Sequence, residues 1–162
     1  MKRKDKRNYY LDIAETVLAR GTCLRRNYGS IIVKNDEIIS TGYTGAPRGR
    51  KNCCDLDECL RVKMNVPRGT QYELCRSVHS EANAIISACR KDMIGADLYL
   101  VGKDMHTGML VENTNSCTMC KRMIINAGIE NVIVRNSEED YRIIHVQEWI
   151  DNDDSINGET IY

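Results

Sequence analysis

Phenylalanine is absent from the 162 residues, tryptophan occurs once (Trp149), proline occurs twice, and Lys plus Arg equal Asp plus Glu at 23 each. A core without Phe has to be filled by Ile, Val, Leu, Met and Ala, which is ordinary for an α/β protein. Zero formal net charge leaves no global field to draw the chain to nucleic acid or an anionic membrane, so a charged ligand must be held locally. A polynucleotide would need an extended cationic track with interleaved aromatics, and there is none. No apolar run is long enough to cross a bilayer, and the basic start "MKRKDKR" leads into the mixed "NYYLDIAETVLAR", not a signal-peptide core. The expectation is a cytoplasmic protein with no membrane partner. Repeats and low-complexity segments are also missing, and the length suits one domain over residues 1–162.

What the chain does have is eight cysteines. In a reducing compartment these argue for thiols, metal ligands or catalysis before a disulfide framework. Their placement follows from the coarse organisation. Leu11, Ala14, Val17 and Leu18 recur with the period of an amphipathic helix over residues 9–20, stopped by Gly21. "GSIIVK" and "EIISTGY", separated by Asn35-Asp36, predict a β-hairpin over residues 29–43. Residues 44–75 carry both prolines, several glycines and no long period, so they predict a long Cys-rich loop with a short helix near Leu60. Ala82, Ile85, Ile86 and Cys89 at helical spacing predict a buried helix over residues 79–91, with Cys89 packed as a small hydrophobe. "ADLYLV" predicts a strand, "CTMCKRMIINAG" a helix closed by Gly128, and "NVIVR" a strand parallel to the first. In the tail, some β structure is expected at residues 142–146.

Three features carry chemistry together: His79-x-Glu81 opening one helix, Cys117-x-x-Cys120 opening another, and the strand between them. Cys117 and Cys120, at i and i+3, share a helical face and can bite one ion. Asn115 or Ser116 can cap that helix, whose N-terminal dipole favours thiolate, while the same field at the other helix favours a neutral His79. One imidazole and two thiolates are ligands of the kind Zn²⁺ takes, and three protein ligands leave a fourth position for water. Glu81, two residues from His79, is then the proton carrier. A purely structural zinc would need neither that glutamate nor an open position, so Glu81 separates an enzyme from the non-enzyme alternative, a zinc-stabilised interaction module.

"HSEANAI" with "SCTMC" resembles the zinc-dependent cytidine and deoxycytidylate deaminase superfamily, with its H-x-E and C-x-x-C pattern. "YGSIIVKNDEIISTGYTGAPRG" resembles the hairpin and loop of the deoxycytidylate branch, and the likeness runs from about Leu11 to Val134. The resemblance implies a three-layer α/β/α fold around a mixed sheet of about five strands. It implies hydrolytic deamination of dCMP to dUMP and ammonia, with water adding at C4 while Glu81 carries protons to N3 and to the departing amine. It also places the base carbonyl at the N–H groups of Ser80 and Glu81. The alternative within the same chemistry is another cytosine nucleoside or nucleotide, or a modified cytosine. A homo-oligomer, and specifically a hexamer, is what the resemblance suggests, with a subunit contact near Arg90.

The chain departs from the family pattern in three places. Thr44 stands where the family has an Asn that contacts substrate, Ser116 stands where it has Pro, and residues 102–116 form a longer insert before the Cys-x-x-Cys helix. For a substrate phosphate, Arg25, Arg26, Arg48 and Arg50 are the local cations, with Arg26 preferred. The resemblance also sets Cys23 and Cys53 where some phage-type members carry a structural zinc. With Cys59 and Cys75 bracketing the rest of the loop, the reading stands open between packed thiols and a second zinc at Cys23, Cys53, Cys59 and Cys75, Cys54 being a substitute ligand. His106 and His145 stand alone and receive no role.

Overall fold

In the computed structural model, which describes residues 1–158, five strands form one sheet in the order β2-β1-β3-β4-β5. Helix α1 (Lys6–Leu18) starts ahead of its apolar period because the Asp5 carboxylate accepts the Asn8 N–H at 3.0 Å and supplies the N-cap. Strands β1 (Arg26–Lys34) and β2 (Glu37–Tyr43) form the expected hairpin. Asn35 (φ 50°) and Asp36 (φ 67°) both adopt left-handed backbone at its turn, as a type I′ connection requires. The Cys-rich segment contains two single-turn helices, α2 (Cys53–Leu56) and α3 (Leu60–Lys63), and a 3₁₀ turn at Tyr72–Leu74.

Helix α4 (Ser80–Ile86) is shorter than its apolar period suggests, and a separate turn, α5 (Arg90–Met93), follows it. Ile86 is 71% exposed and Cys89 is also exposed, which corrects the expectation of one buried helix with Cys89 inside. The chain bends after Ile86 so that Met93, not Cys89, reaches the core. Strand β3 (Asp97–Asp104), helix α6 (Thr118–Ala127) and strand β4 (Asn131–Arg135) make the parallel crossover, and α6 ends at Gly128 in the left-handed conformation. Strand β5 (Tyr141–His145) runs antiparallel to β4 and leads into α7 (Val146–Asp151).

Side chains alternate across the sheet with the period of two that strands impose. Ile31, Val33, Tyr99, Val101 and Ile133 face α1, packing with Tyr10, Leu11, Ala14 and Leu18. Ile32, Leu98, Leu100, Val132 and Val134 face the other way, where Ala84, Cys120 and Ile124 complete the second core. The three-layer α/β/α architecture with a mixed sheet is therefore the one expected. Each fully buried Leu or Ile stabilises it by about 2 kcal/mol relative to exposure. Arg135, 3% exposed at the end of β4, donates to Asp12 at 2.8 Å and to Glu15 at 2.9 Å and fixes α1 on its face. Burial pushes both carboxyls up, but their bonds to Arg135 and to Lys4 or Lys103 outweigh it and hold them below their usual values.

On the opposite face α4 lies hard against the hairpin. A Cβ at Gly42 would stand 2.2 Å from the Ser80 carbonyl oxygen and 2.4 Å from the Ala84 nitrogen, so only glycine lets α4 this close. Ser40 donates to the Ala84 carbonyl at 2.7 Å, and the Ser30 and Ser80 hydroxyls bond each other at 2.7 Å with both residues fully buried. These contacts fix the depth of α4, and so the position of what it carries at its start.

Candidate active site

His79 and Cys117 occupy equivalent places, the N-cap positions of α4 and α6, with extended backbone and no capping hydrogen bond from their side chains. Neither Asn115 nor Ser116 caps α6, contrary to expectation, because the helix begins one residue later, at Thr118. Ser116 is instead buried with its hydroxyl unpartnered. The two helices bring three ligand atoms together: His79 Nδ1 lies 3.4 Å from Cys117 Sγ and 3.5 Å from Cys120 Sγ. Around a tetrahedral zinc, with bonds of about 2.0 Å to nitrogen and 2.3 Å to sulfur, adjacent N and S ligands stand about 3.5 Å apart. The donor set therefore fits zinc in type and in spacing, and three protein ligands leave room for a fourth. Among the described residues, this is the one group of three or more His, Cys, Asp or Glu whose ligand atoms all lie within 4.8 Å of one another.

The protonation pattern follows from this crowding. The Cys120 thiol hydrogen-bonds to Cys117 and, with help from His79, holds Cys117 down at about 4 against the opposing effect of burial. Cys120 is pushed up by the same bond and by burial, so in the absence of metal the pair keeps one proton. Burial lowers His79, but its bond to Cys117 and the charge of Glu81 outweigh that and raise it. The expected depression at a helix N-terminus is thus reversed by a thiolate and a carboxylate, whose charge a metal cation would neutralise. Glu81 is 5% exposed, and its Oε2 accepts from the Ser80 hydroxyl at 3.1 Å. Ser30, Ser80 and Glu81 form a chain of hydrogen bonds that runs from the sheet to the carboxylate. Sequence reasoning missed Ser30, whose signal was a serine inside the apolar strand "GSIIV".

A pocket of about 170 Å³ opens over this centre. Its wall includes Arg25, Arg26, Tyr28 and Thr44 from the hairpin, Arg61, Arg68 and Tyr72 from the Cys-rich segment, and Asp104, His106 and Asn115 from the insert. Arg48 and Arg50 are not among the lining residues. Arg26 lines it, as expected, but lies 3.7 Å from Asp104. Thr44 also lines it, yet its hydroxyl accepts the Tyr28 N–H at 3.1 Å and faces the Tyr28 carbonyl oxygen, so it is engaged with backbone. Ser80 does not line the pocket through its side chain; it acts from behind, on Glu81.

The insert is a short flap rather than an open loop. Asp104 donates its N–H to the Met109 carbonyl oxygen, Val111 donates to that of Gly102, and the Asp104 carboxylate accepts the N–H groups of His106 and Thr107. The Met105 N–H donates to the Arg25 carbonyl oxygen at 2.9 Å, tying the flap to the hairpin. This brings His106, given no role from sequence, onto the pocket wall. On the other side Arg61, 6% exposed, lies 4.7 Å over the Tyr72 ring, whose edge meets the His79 imidazole at 5.4 Å. Neither Arg61 nor Tyr72 had a legible sequence signal.

Cys23, Cys59 and Cys75 also line the pocket, and Cys53 is buried within hydrogen-bonding reach of Ser77, at 3.8 Å. Burial raises the Cys53 and Cys75 thiols, with smaller contributions from Cys23 and Cys59 at Cys53 and from Cys23 and Cys53 at Cys75. Among the described residues, these four loop cysteines are not part of a group of three or more whose ligand atoms all lie within 4.8 Å of one another. All eight cysteines are free thiols.

Residues 4–136 match the cytidine and deoxycytidylate deaminase zinc-binding region. The chain belongs to that family. It is 34% identical over 137 residues to the deoxycytidylate deaminase of Mycobacterium phage D29, covering 82% of this chain and 96% of the phage protein. To the Saccharomyces cerevisiae deoxycytidylate deaminase it is 30% identical over 143 residues, 85% of this chain but 41% of the longer yeast protein. Among solved structures, the apo dCMP deaminase of cyanophage S-TIM5 superposes with a TM-score of 0.57 at 25% identity, covering 84% and 86% of the two chains. A Burkholderia pseudomallei cytidine deaminase shares the fold at 16% identity, with a TM-score of 0.56 over 85% of this chain and 91% of that one. The family's zinc-binding region thus coincides with the part of the chain that carries His79, Glu81, Cys117 and Cys120. Among the described residues, no helix of this deaminase is long and apolar enough to cross a membrane.

Proposed function

We propose that the protein deaminates dCMP hydrolytically to dUMP and ammonia. The observation that carries the reading is a buried glutamate, Glu81, held by Ser80 beside a three-ligand His79, Cys117, Cys120 centre. The phage D29 relative, matched over nearly its whole length, is a deoxycytidylate deaminase, and the S-TIM5 enzyme has been solved with dCMP and dUMP. The arginines on the pocket wall supply the cations that a nucleotide phosphate needs.

His79, Cys117 and Cys120 hold the zinc in this reading. What a bound zinc supplies is a water acidic enough to lose its proton near neutral pH. Glu81 accepts a proton from the attacking water and passes it to N3 of the cytosine ring as the water oxygen bonds to C4. It then moves the second water proton to the exocyclic amine, the C4–N bond breaks, and the products are the uracil carbonyl and ammonia. The Ser80 hydroxyl, donating to Oε2, keeps the carboxylate in one orientation through both transfers. The N–H groups of Ser80 and Glu81, in the first turn of α4, hold the base carbonyl.

The lack of a disulfide at any of the eight cysteines fits a reducing cytoplasm. A homo-oligomer is supported by the apolar Ile38, Tyr43 and Ile86 exposed on β2 and α4, and the hexamer is the state the family resemblance suggests. Ammonia release from dCMP, CMP, deoxycytidine and dCTP, assayed side by side, tests the substrate. Turnover of dCMP well above the other three is expected, and preference for deoxycytidine or dCTP overturns the reading.

A further inference from the structure

Tyr28 is part of the pocket wall. On β1 it faces Gly102 of β3 in register, and a Cβ at Gly102 would lie 2.4 Å from Cε1 of its ring. The ring therefore packs against the Gly102 backbone, in the space a side chain at that position would take. Its own backbone is clamped from the other side, where its N–H donates to the Thr44 hydroxyl at 3.1 Å and its carbonyl accepts the Thr44 N–H at 3.1 Å. Thr44 is thereby removed as a free polar contact.

The Tyr28 side chain lines the pocket that also takes in Glu81 and the arginines. Burial raises its phenol, and the charge of the Arg26 guanidinium and a hydrogen bond to it lower it. Glu81 marks the base end, and the arginine-lined mouth marks the phosphate end. The pentose of a nucleotide must cross the stretch between them.

We propose that Tyr28 is a specificity-determining residue that contacts the sugar of the nucleotide. Its fixed ring forms the wall that a bare C2′ passes and a 2′-hydroxyl does not, and its phenol makes the polar sugar contact that Thr44 cannot. The inference rests on the nucleotide reading above. A rigid wall discriminates sterically, because the ring packs against the Gly102 backbone, and a single hydroxyl contact contributes to binding on a smaller scale.

The test is steady-state kinetics of the zinc-loaded full chain on dCMP and CMP, for wild type, Tyr28→Phe and Tyr28→Val. Tyr28→Phe keeps the ring on Gly102 and loses only the hydroxyl, so KM for dCMP rises about tenfold with kcat and the dCMP-to-CMP preference little changed. Tyr28→Val opens the wall, so the preference for dCMP over CMP falls by about tenfold or more. Zinc content and circular dichroism equal to wild type show that both variants are folded, and Tyr28→Phe carries the test if Tyr28→Val is not. Unchanged KM in Tyr28→Phe with unchanged sugar preference in Tyr28→Val overturns the role of Tyr28, as does an equal loss for both substrates in Tyr28→Val. Wild-type protein that turns over neither nucleotide overturns the substrate reading itself.

Discussion

Two sets of cysteines border one pocket, and the fold treats them differently. Cys117 and Cys120 sit at the N-cap and in the first turn of a helix that packs on the sheet, and they close on His79 to within 3.5 Å. Cys23, Cys53, Cys59 and Cys75 come from loops and single turns, and they are not drawn together within 4.8 Å by the fold alone. Thiol chemistry is the same in both. What differs is the backbone: a helical turn fixes i and i+3 side chains relative to each other, whereas loop segments must each be ordered at an entropic cost before four sulfurs can meet. A metal centre that must keep one position open needs the first kind of support.

The largest effect expected is from Cys120→Ser, which removes a ligand from the helix set. Metal analysis should show the zinc lost and ammonia release from dCMP gone, while Cys59→Ser keeps both. If wild type binds a second equivalent that survives in Cys120→Ser and is lost in Cys59→Ser, the loop thiols are a site as well, and the contrast drawn above fails.

Glu81→Gln comes next. It keeps the shape and the metal ligands but cannot carry a proton, and general acid–base catalysis of this kind is worth about 10³-fold. A loss of that size at wild-type zinc content is expected; activity within tenfold of wild type would refute the proton-carrier role.

These four residues were legible because the chemistry constrains their spacing in sequence: His79 and Glu81 two apart, Cys117 and Cys120 three apart, each pair at the start of a helix. What positions them was not legible, because it depends on contacts between distant segments. Gly42, Ser30 and Gly102 matter through what lies opposite them, and a sequence does not show opposites until the register is known. The same limit explains the errors. Ile86 and Cys89 continue an apolar period without being buried, since the chain turns away after α4. Thr44 reached the pocket as expected but gave its hydroxyl to Tyr28.

Gly42→Ala tests how far the helix set owes its geometry to the sheet. The added methyl meets backbone atoms of α4 at 2.2 Å and 2.4 Å, which cannot move aside independently. Displacing α4 by a few tenths of an ångström to an ångström shifts His79 and Glu81 together, and misplacement on that scale costs about a hundredfold in kcat. The loop cysteines, carried by other segments, should keep their wild-type labelling rates. Unaltered turnover in Gly42→Ala would mean that α4 is positioned by something other than its contact with β2.

The smallest effect concerns the thiols themselves. In chelator-treated protein, Cys117 is held at about 4, whereas burial holds Cys75 above the usual thiol value. The sign is direct: a lowered pKa keeps Cys117 a thiolate at every pH above about 4, while Cys75, raised by burial, gains thiolate only above the ordinary thiol range. Reactivity differs less than ionisation does, because nucleophilicity falls with pKa at a Brønsted slope of roughly 0.45 and offsets most of the gain. Iodoacetamide labelling read by peptide mass spectrometry should therefore give a Cys117 rate that is flat from pH 5 to 7 and a Cys75 rate that climbs with pH. Parallel profiles would show that the helix-borne and loop-borne thiols share one electrostatic environment after all, and that only their geometry separates them.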